Sequence, residues 1–292
     1  MNGPVVVTGA AGWIGAAVVA TARRAGMVVP VTRAGGPDGR AFALSDARAL
    51  GAFLDDVRPT AVINTAGRTD GGDETLRESN VAIVQHLLAA TMSRGITFVT
   101  IGSAAEYGNP RDAGRVTEDA AEHPESAYAR SKLAATKAVR AAHAAGGPAI
   151  TARLFNVAGP GVAPHRPLGD LIARVRALPE SGGLLVLDDA GTERDWVSLA
   201  FVAEALLAVA HQPPTHAVVN VCSGAATTIG ELALALARAE GRSPELQDRA
   251  AGRGPRRVVG DPTRLETTTG LRAHFTPDAL AVAALSEPDQ IT

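Results

Sequence analysis

A glycine-rich turn near the N-terminus restricts what this chain can fold into. The run VVVTGAAGWIG at Val5–Gly15 places Gly9, Gly12 and Gly15 at three-residue spacing between an apolar run and a helical pattern. Glycines at such a turn let the backbone bend sharply and let a pyrophosphate approach the amides at the start of the next helix. The spacing differs from the commoner G-x-G-x-x-G, but its place after a strand and before a helix still predicts a dinucleotide-binding turn.

The first half of the chain alternates short apolar runs with helical patterns. Strands are expected at Pro4–Thr8, Met27–Thr32, Ala61–Asn64, Ile96–Ile101 and Ala149–Leu154. Helices are expected at Trp13–Ala25, Asp46–Val57 with Ser45 as its cap, Thr75–Arg94 and Ser126–Ala145. This alternation is typical of a parallel sheet covered by helices on both faces, with ligands at the carboxyl ends of the strands. We therefore predict an α/β fold with a Rossmann-like doubly wound parallel sheet.

The pattern becomes less regular from about Phe155. Prolines and glycines crowd residues 159–169, and the remaining strands and helices are expected at Leu184–Leu187, Leu199–His211, Ala217–Val221 and Ile229–Glu240. We predict an NAD(P)-binding Rossmann-like domain over residues 1–155 and a smaller C-terminal α/β substrate-binding lobe over residues 156–292. Some strands and helices of the second lobe could return to the first domain.

Composition excludes several classes of protein. With 46% hydrophobic residues and a net charge of -2 over 292 residues, the chain is neither disordered nor a polybasic nucleic-acid binder. Residues 1–22 carry no charge, but glycines interrupt them and no basic residue precedes them, which favours a buried strand and helix over a signal peptide or membrane span. The single Cys222 excludes an internal disulfide and suits a reducing compartment. We expect a cytoplasmic protein with a small-molecule substrate and no metal, nucleic acid or membrane partner.

Two of the rarest residues stand at a chemically useful spacing. The chain has only two tyrosines and two lysines, yet Tyr128 and Lys132 lie four apart in a predicted helix and so share one face. A lysine cation beside a phenol lowers the pKa of the phenol, which makes it a usable general acid or base. Ser103 follows the fourth predicted strand, opens into the same crevice and could hold a substrate oxygen. We predict a catalytic group of Ser103, Tyr128 and Lys132.

The end of the second predicted strand bears on the choice of cofactor. An acid there binds the ribose 2′-hydroxyl of NAD, whereas an arginine accommodates the 2′-phosphate of NADP. This chain has Thr32 and Arg33 at that point and no acid before Asp38. Arg33 therefore favours NADP, with NAD as the alternative.

Several motifs together resemble a known family. TGAAGWIG resembles T-G-x-x-G-F-I-G, GSAAEYG resembles S-S-x-x-V-Y-G, YARSK supplies the tyrosine and lysine, and RLFNVAGPG resembles R-x-F-N-x-x-G-P. INTAG resembles the loop beside the nicotinamide ribose, Asn80 resembles a helix asparagine of the family, and RDWVSLAFVAEAL resembles R-D-F-V-H-V-D-D-V-A-x-A. Nearly end to end, the chain resembles the extended short-chain dehydrogenases/reductases of the NAD(P)-dependent epimerase/dehydratase family, which modify nucleotide sugars.

The resemblance implies roles for particular residues. It implies cofactor contacts from Gly9, Gly12, Trp13, Ile14, Gly15, Arg33, Leu44, Ala66, Gly67, Tyr128, Lys132 and Phe155. It implies substrate contacts from Ser103, Ala104, Asn156, Arg194 and Arg253, with Arg256 as the rival of Arg253. Arg153, His165 and Arg166 are weaker candidates for substrate contacts. The resemblance also implies a homodimer formed through the predicted helices Thr75–Arg94 and Ser126–Ala145.

The chain also departs from the family pattern. Ser198, Ala200 and Phe201 replace the histidine and acids of R-D-F-V-H-V-D-D, and Ala43 replaces the acid before Leu44. Sugar 4,6-dehydratases of the family carry an acidic pair directly after the catalytic hydroxyl, where this chain has Ala104 and Ala105 followed by Glu106. Two methyl groups cannot transfer the proton that water elimination requires, which disfavours a dehydratase.

These observations favour a ketoreductase. The expected reaction is reduction of the 4-keto group of an NDP-deoxysugar by NAD(P)H, with Tyr128 as the general acid. An NAD-dependent nucleotide-sugar 4-epimerase and a reductase of a non-sugar ketone, such as a polyketide intermediate, are the enzymatic alternatives. A non-catalytic dinucleotide sensor is the alternative of another class, and the retained Tyr128–Lys132 pair disfavours it.

Overall fold

The structure is a computed structural model that describes residues 3–26, 28–33, 40–41, 43–110, 114–249 and 257–287. Its strands are β1 (Val5–Thr8), β2 (Val28–Thr32), β3 (Arg40–Ala41), β4 (Ala61–Asn64), β5 (Thr97–Ser103), β6 (Ala149–Leu154), β7 (Asn156–Ala158), β8 (Gly183–Leu187), β9 (Glu193–Arg194), β10 (Trp196–Ser198), β11 (Val218–Val221), β12 (Thr227–Thr228), β13 (Pro244–Asp248) and β14 (Arg257–Val258). Its α-helices are α1 (Trp13–Ala25), α2 (Ala47–Val57), α3 (Asp73–Leu76), α4 (Ile83–Met92), α5 (Ala127–Ala144), α6 (Pro167–Arg176), α7 (Leu199–Ala210), α8 (Ile229–Ala239), α9 (Thr263–Thr269) and α10 (Pro277–Leu285). A π-helical segment, Arg77–Ala82, joins α3 to α4, and a short 3₁₀ helix, Ala104–Tyr107, follows β5.

A seven-stranded sheet forms the centre of the described structure. Its strand order is β11-β6-β5-β4-β1-β2-β3, and every pair of neighbours is parallel. The chain runs outward in one direction from β1 to β3 and in the other from β4, so the order reverses between β1 and β4. A crevice therefore opens at the carboxyl ends of these two strands. This arrangement confirms the predicted doubly wound parallel sheet.

Both faces of the sheet are buried against helices, which explains the unbroken apolar runs of its strands. Val5 and Val7 of β1 lie in one core cluster with residues of α1 and α7. Val6 lies in the opposite cluster, with residues of α2, α4 and α5. Beneath the crevice, Thr8 donates a hydrogen bond to Asn64 at 2.7 Å, and Asn64 donates one to Thr100 at 3.0 Å, joining the ends of β1, β4 and β5.

A smaller cluster forms the core of the C-terminal lobe. It contains buried side chains of α6, α8 and α10, together with Trp196 and residues of β8. Two later elements lie in the first unit instead, because β11 pairs with β6 at the edge of the central sheet and α7 packs against α1. The chain beyond residue 155 thus contributes to both units.

Local hydrogen bonding changed several element boundaries. Asp46 rather than Ser45 caps α2, because the Asp46 carboxylate accepts from the amides of Arg48 and Ala49 at 3.0 and 2.9 Å. The π-helical segment divides the expected helix Thr75–Arg94, and β5 extends to Ser103. Proline has no backbone N–H to donate to a neighbouring strand. Pro30 is tolerated in β2 because β3 pairs only with Val31 and Thr32, so β3 needs no hydrogen bond from residue 30.

The described residues contain neither a membrane-spanning helix nor a metal-binding cluster of side chains. None of their helices is both long and apolar enough to span a membrane. Among the same residues, no cluster of three or more histidine, cysteine, aspartate or glutamate side chains could hold a metal ion.

Candidate active site

The glycine turn after β1 is tightly packed and open to the crevice. Gly9 has a φ of +72°, and a Cβ placed there would lie 2.5 Å from the amide nitrogen of Ala66. A Cβ on Gly15 would lie 2.2 Å from the carbonyl oxygen of Gly9. Helix α1 begins just after Gly12 with no side chain capping its first amides. These amides can therefore bind an anion such as a pyrophosphate.

A cleft of about 950 Å³ extends from this turn between the ends of β2 and β4 and the segment that leads into α4. Its volume lies within the usual range of small-molecule sites. Its walls include six of the predicted cofactor residues: Gly9, Gly12, Arg33, Leu44, Ala66 and Gly67. Arg33 is exposed at the end of β2, and its place on the cleft wall is where a group on the adenosine ribose would lie.

The three predicted catalytic residues come together at the carboxyl end of β5. Ser103 is the last residue of that strand, while Tyr128 and Lys132 lie one turn apart on α5. Tyr128 lies close enough to Ser103 for the serine hydroxyl to lower the pKa of the phenol. The ammonium of Lys132 donates to the carbonyl oxygen of Ile101 at 3.0 Å and lies 6.0 Å from the centroid of the Tyr128 ring.

The electrostatics of this group differ from the expectation that Lys132 lowers the pKa of Tyr128. Burial raises the pKa of Tyr128, the hydrogen bond from Ser103 opposes this, the Glu106 charge adds to it, and the Arg166 charge opposes it. Burial also lowers the pKa of Lys132 to about 8, against the pull of Glu106. A tyrosine is protonated at neutral pH, so Tyr128 holds a proton that it can give, and its raised pKa makes it a weaker acid than a free phenol.

The loop after β4 is held against the catalytic helix. Asn80, in the π-helical segment, donates to the hydroxyl of Ser131 at 2.9 Å and accepts from the amide of Arg68 at 2.8 Å. A Cβ on Gly67 would lie 2.6 Å from the Asn80 side-chain oxygen and 3.7 Å from the Lys132 nitrogen. The INTAG loop thus lies beside Lys132, where a nicotinamide ribose is expected.

Arg153 has no access to substrate, so its candidacy as a substrate contact is wrong. Its side chain is fully buried, and its guanidinium pairs with Glu106 at 2.8 Å and with Glu122. It also lies 4.5 Å over the ring of Tyr107. In the sequence, Glu106 and Arg153 are each a charged residue within an otherwise uncharged, largely apolar run, which is a signal for a buried ion pair. The sequence does not show that the two residues meet.

The remaining predicted residues are spread over both lobes. Asn156 donates its amide to the carbonyl oxygen of Asp195 at 2.9 Å, which holds it beside the partly buried Arg194. Phe155 is buried against Tyr107, with ring centroids 6.3 Å apart, and Ala104 packs on the edge of the same cluster. Ile14 packs on the core between α1 and α7. Roles for these residues in binding stay predictions.

The segment rich in proline and glycine lies over the glycine turn. The indole of Trp13 donates to the carbonyl oxygen of Pro160 at 2.6 Å, and the Arg166 guanidinium lies 6.0 Å from the Trp13 ring. His165 beside it is exposed. Arg253 and its rival Arg256 lie outside the described residues.

Comparison with known proteins decides the family. The sequence model of the NAD dependent epimerase/dehydratase family matches residues 5–222. The chain belongs to this family. The predicted family is thereby confirmed, and with it an NAD(P)-dependent enzyme of the oxidoreductase and epimerase kind.

Individual relatives support the same kind of enzyme. The dTDP-6-deoxy-L-talose 4-dehydrogenase (NAD(P)(+)) of Kitasatospora kifunensis is 34% identical over 225 residues, which cover 74% of this chain and 71% of the relative. The UDP-glucose 4-epimerase of Streptomyces lividans is 30% identical and covers 89% of this chain and 88% of its own. The structure of RMD from Pseudomonas aeruginosa complexed with NADPH matches with a TM-score of 0.80 and 29% identity, over 98% of this chain and 97% of that one.

The burial of Lys132 predicts a pH dependence of stability. Its pKa is about 8 in the folded protein against 10.5 for an ordinary lysine, so between these values the unfolded chain holds a proton that the folded chain has lost. This term makes the free energy of unfolding rise with pH across that window. Chemical denaturation should show a smaller rise for Lys132→Met. Lys137→Met, at an exposed position of the same helix, is the control and should keep the wild-type slope; equal slopes for all three proteins would contradict the prediction.

Proposed function

We propose that this protein is an NADPH-dependent ketoreductase that reduces the 4-keto group of an NDP-deoxysugar. The observation that carries the proposal is that Tyr128 and Lys132 share one face of α5 beside the carboxyl end of β5, where Ser103 lies. The relative from Kitasatospora kifunensis, a dTDP-6-deoxy-L-talose 4-dehydrogenase, supports a 4-keto sugar as substrate. The NADPH complex of RMD supports a reduced dinucleotide as cofactor.

The site residues divide the reaction among themselves. The uncapped start of α1, Arg33 and Gly67 would hold a dinucleotide, which supplies a hydride to the carbonyl carbon when bound. Tyr128 gives its proton to the carbonyl oxygen, so hydride and proton together convert the ketone to an alcohol. Ser103 donates a hydrogen bond to the same oxygen, and the Lys132 ammonium binds the ribose beside Gly67.

The structure around Glu106 supports a reductase over a dehydratase. Glu106 is the nearest acid after Ala104 and Ala105, but it is fully buried and its carboxylate is engaged by Arg153 at 2.8 Å. Elimination of water needs an acid or base that can reach the substrate. The site therefore offers proton transfer through Tyr128 and not through a second acid at this position.

A 4-epimerase is the second candidate, favoured by the 30% identity to the Streptomyces lividans enzyme. Such an enzyme reduces and reoxidises its cofactor within one turnover, whereas a reductase exchanges it. Mass spectrometry of the nucleotide released on denaturing fresh protein separates the two. Stoichiometric NAD would favour the epimerase, and an empty protein that binds NADPH would favour the reductase.

Arg33 is proposed to select NADP. Replacing it by alanine removes a charge-assisted contact to the 2′-phosphate, so the dissociation constant for NADPH should rise about ten- to a hundredfold while that for NADH stays unchanged. Fluorescence titration with each nucleotide measures both constants. Arg48→Ala, an exposed position on α2, is the control. An equal loss for NADPH and NADH would show that Arg33 does not read the phosphate.

Tyr128 is proposed as the general acid. Tyr128→Phe should lower kcat for a dTDP-4-keto-6-deoxyhexose by at least about a hundredfold, because the proton donor is lost while the ring is kept. NADPH oxidation measures the rate, and NADPH titration confirms an intact cofactor site. Tyr107→Phe is the matched control, since the Tyr107 hydroxyl bonds Asn220 in the core and not the site. Near-normal turnover by Tyr128→Phe would contradict the role of Tyr128 as the general acid.

We also propose a cytoplasmic homodimer assembled through α4 and α5. Small exposed side chains on these helices, Ala89, Ala134 and Ala141, would allow the close approach of two helix pairs. Light scattering on the purified protein should give twice the chain mass of 29.8 kDa. A mass of one chain at micromolar concentration would contradict the dimer.

A further inference from the structure

The catalytic serine is part of a reciprocal hydrogen-bond pair. The Ser103 amide donates to the Glu106 carboxylate at 2.8 Å, and the Ala105 amide donates to the Ser103 hydroxyl oxygen at 3.2 Å. Together these bonds form a capping box at the start of the 3₁₀ helix Ala104–Tyr107. The box occupies one lone pair of the Ser103 oxygen and leaves the O–H as a donor, which the Tyr128 oxygen or a substrate oxygen can accept. It therefore fixes the direction in which Ser103 can bind a substrate oxygen.

Glu106 is itself held from the opposite side. Its second carboxylate oxygen accepts from Arg153 Nε at 2.8 Å, and neither side chain is exposed. Arg153 also pairs with Glu122, which in turn accepts from Arg140 at 2.7 Å. A buried carboxylate between a cation and a backbone amide is firmly placed, because moving it would leave a buried charge unpaired.

Charged groups from three elements face the Tyr128 phenol. Glu106 acts from the 3₁₀ helix and raises the pKa of Tyr128, while Arg166 acts from the start of α6 and lowers it. Lys132 lies on the same helix, with its ammonium turned to Ile101. Arg153, on β6, separates Glu106 from Glu122. Glu106 is thus the negative charge that both Tyr128 and Lys132 sense.

We propose that Glu106 is a positioning residue of the reduction, whose carboxylate aims the Ser103 hydroxyl and whose buried charge acts on Tyr128 and Lys132. The inference rests on the proposed roles of Ser103 and Tyr128. Glu106 is the position at which GSAAEYG has an acid and the family motif S-S-x-x-V-Y-G has valine, and the proposal gives this acid a role. The hydrogen bond governs geometry, and the charge governs proton affinity, so the two effects can be separated by substitution.

Two paired variants separate the hydrogen bond from the charge. Glu106→Gln with Arg153→Met removes both buried charges but keeps an acceptor for the Ser103 amide. Glu106→Val with Arg153→Met removes the charges and the acceptor together. Glu122 keeps Arg140 as its partner in both. We expect kcat of the valine variant to lie about ten- to a hundredfold below that of the glutamine variant, with little difference in KM, because only the valine variant loses the acceptor for the Ser103 amide.

The charge is tested without any sugar substrate. Because the chain has only two tyrosines, NMR of isotope-labelled tyrosine in the NADPH complex gives two signals, and Tyr128→Phe assigns them. In both paired variants, and in Glu106→Gln alone, the pKa of Tyr128 should fall, since the negative charge that opposes ionisation is gone. Glu118→Gln is the matched control: Glu118 is also buried but bonds the Asn220 amide at 2.8 Å, so the pKa of Tyr128 should stay.

The outcomes distinguish this inference from the proposed function. An unchanged Tyr128 titration in Glu106→Gln and its paired variant, or equal kcat for the glutamine and valine pairs, overturns the role of Glu106. Activity retained by Tyr128→Phe overturns the proposed function and leaves the titration result valid by itself. The single and paired glutamine variants provide two independent proteins for the charge test, and circular dichroism reports whether each variant is folded.

Discussion

Burial of the parallel sheet on both faces is the constraint on which the rest of the structure depends. Side chains of β1 alternate between two apolar clusters, so no polar chemistry can lie along the strand. Functional groups are therefore confined to the strand ends, where the Thr8–Asn64–Thr100 hydrogen bonds close the core. The glycine turn, the loop after β4 and Ser103 follow directly from that boundary.

A buried carboxylate, that of Asp195, joins several backbone segments in the second half of the chain. Asp195 accepts from the amide and hydroxyl of Ser223 at 2.7 Å, from the Gly224 amide at 2.8 Å and from the Gly260 amide at 3.2 Å. Its backbone carbonyl also holds Asn156. Asp195 thus holds the backbone that presents Asn156 and Arg194.

The sequence predicts those elements that depend on local periodicity, and those neighbouring pairs of residues that are rare in the chain. Strand β4 and helix α1 were predicted to the residue, and Tyr128 and Lys132 lie on one helix face as their spacing requires. What sequence could not supply was pairing between distant segments. Glu106 and Arg153 stand 47 residues apart, so their ion pair is invisible to spacing, and the raised pKa of Tyr128 follows from burial by the whole fold. The cap on α2 was missed because Ser45 and Asp46 are equally good caps by composition.

The π-helical segment before α4 lets side chains on successive turns face two different neighbours. Asn80 must face the loop after β4 and the catalytic helix, while Val84 and Leu87 must face the sheet. A π-helical turn accommodates one more residue than an α-helical turn. In an unbroken α-helix each residue advances by about 100°, so without the wider turn these two faces would be rotated apart by roughly that angle. The wide turn thus lets one continuous helical segment direct Asn80 towards the site and Val84 and Leu87 towards the core.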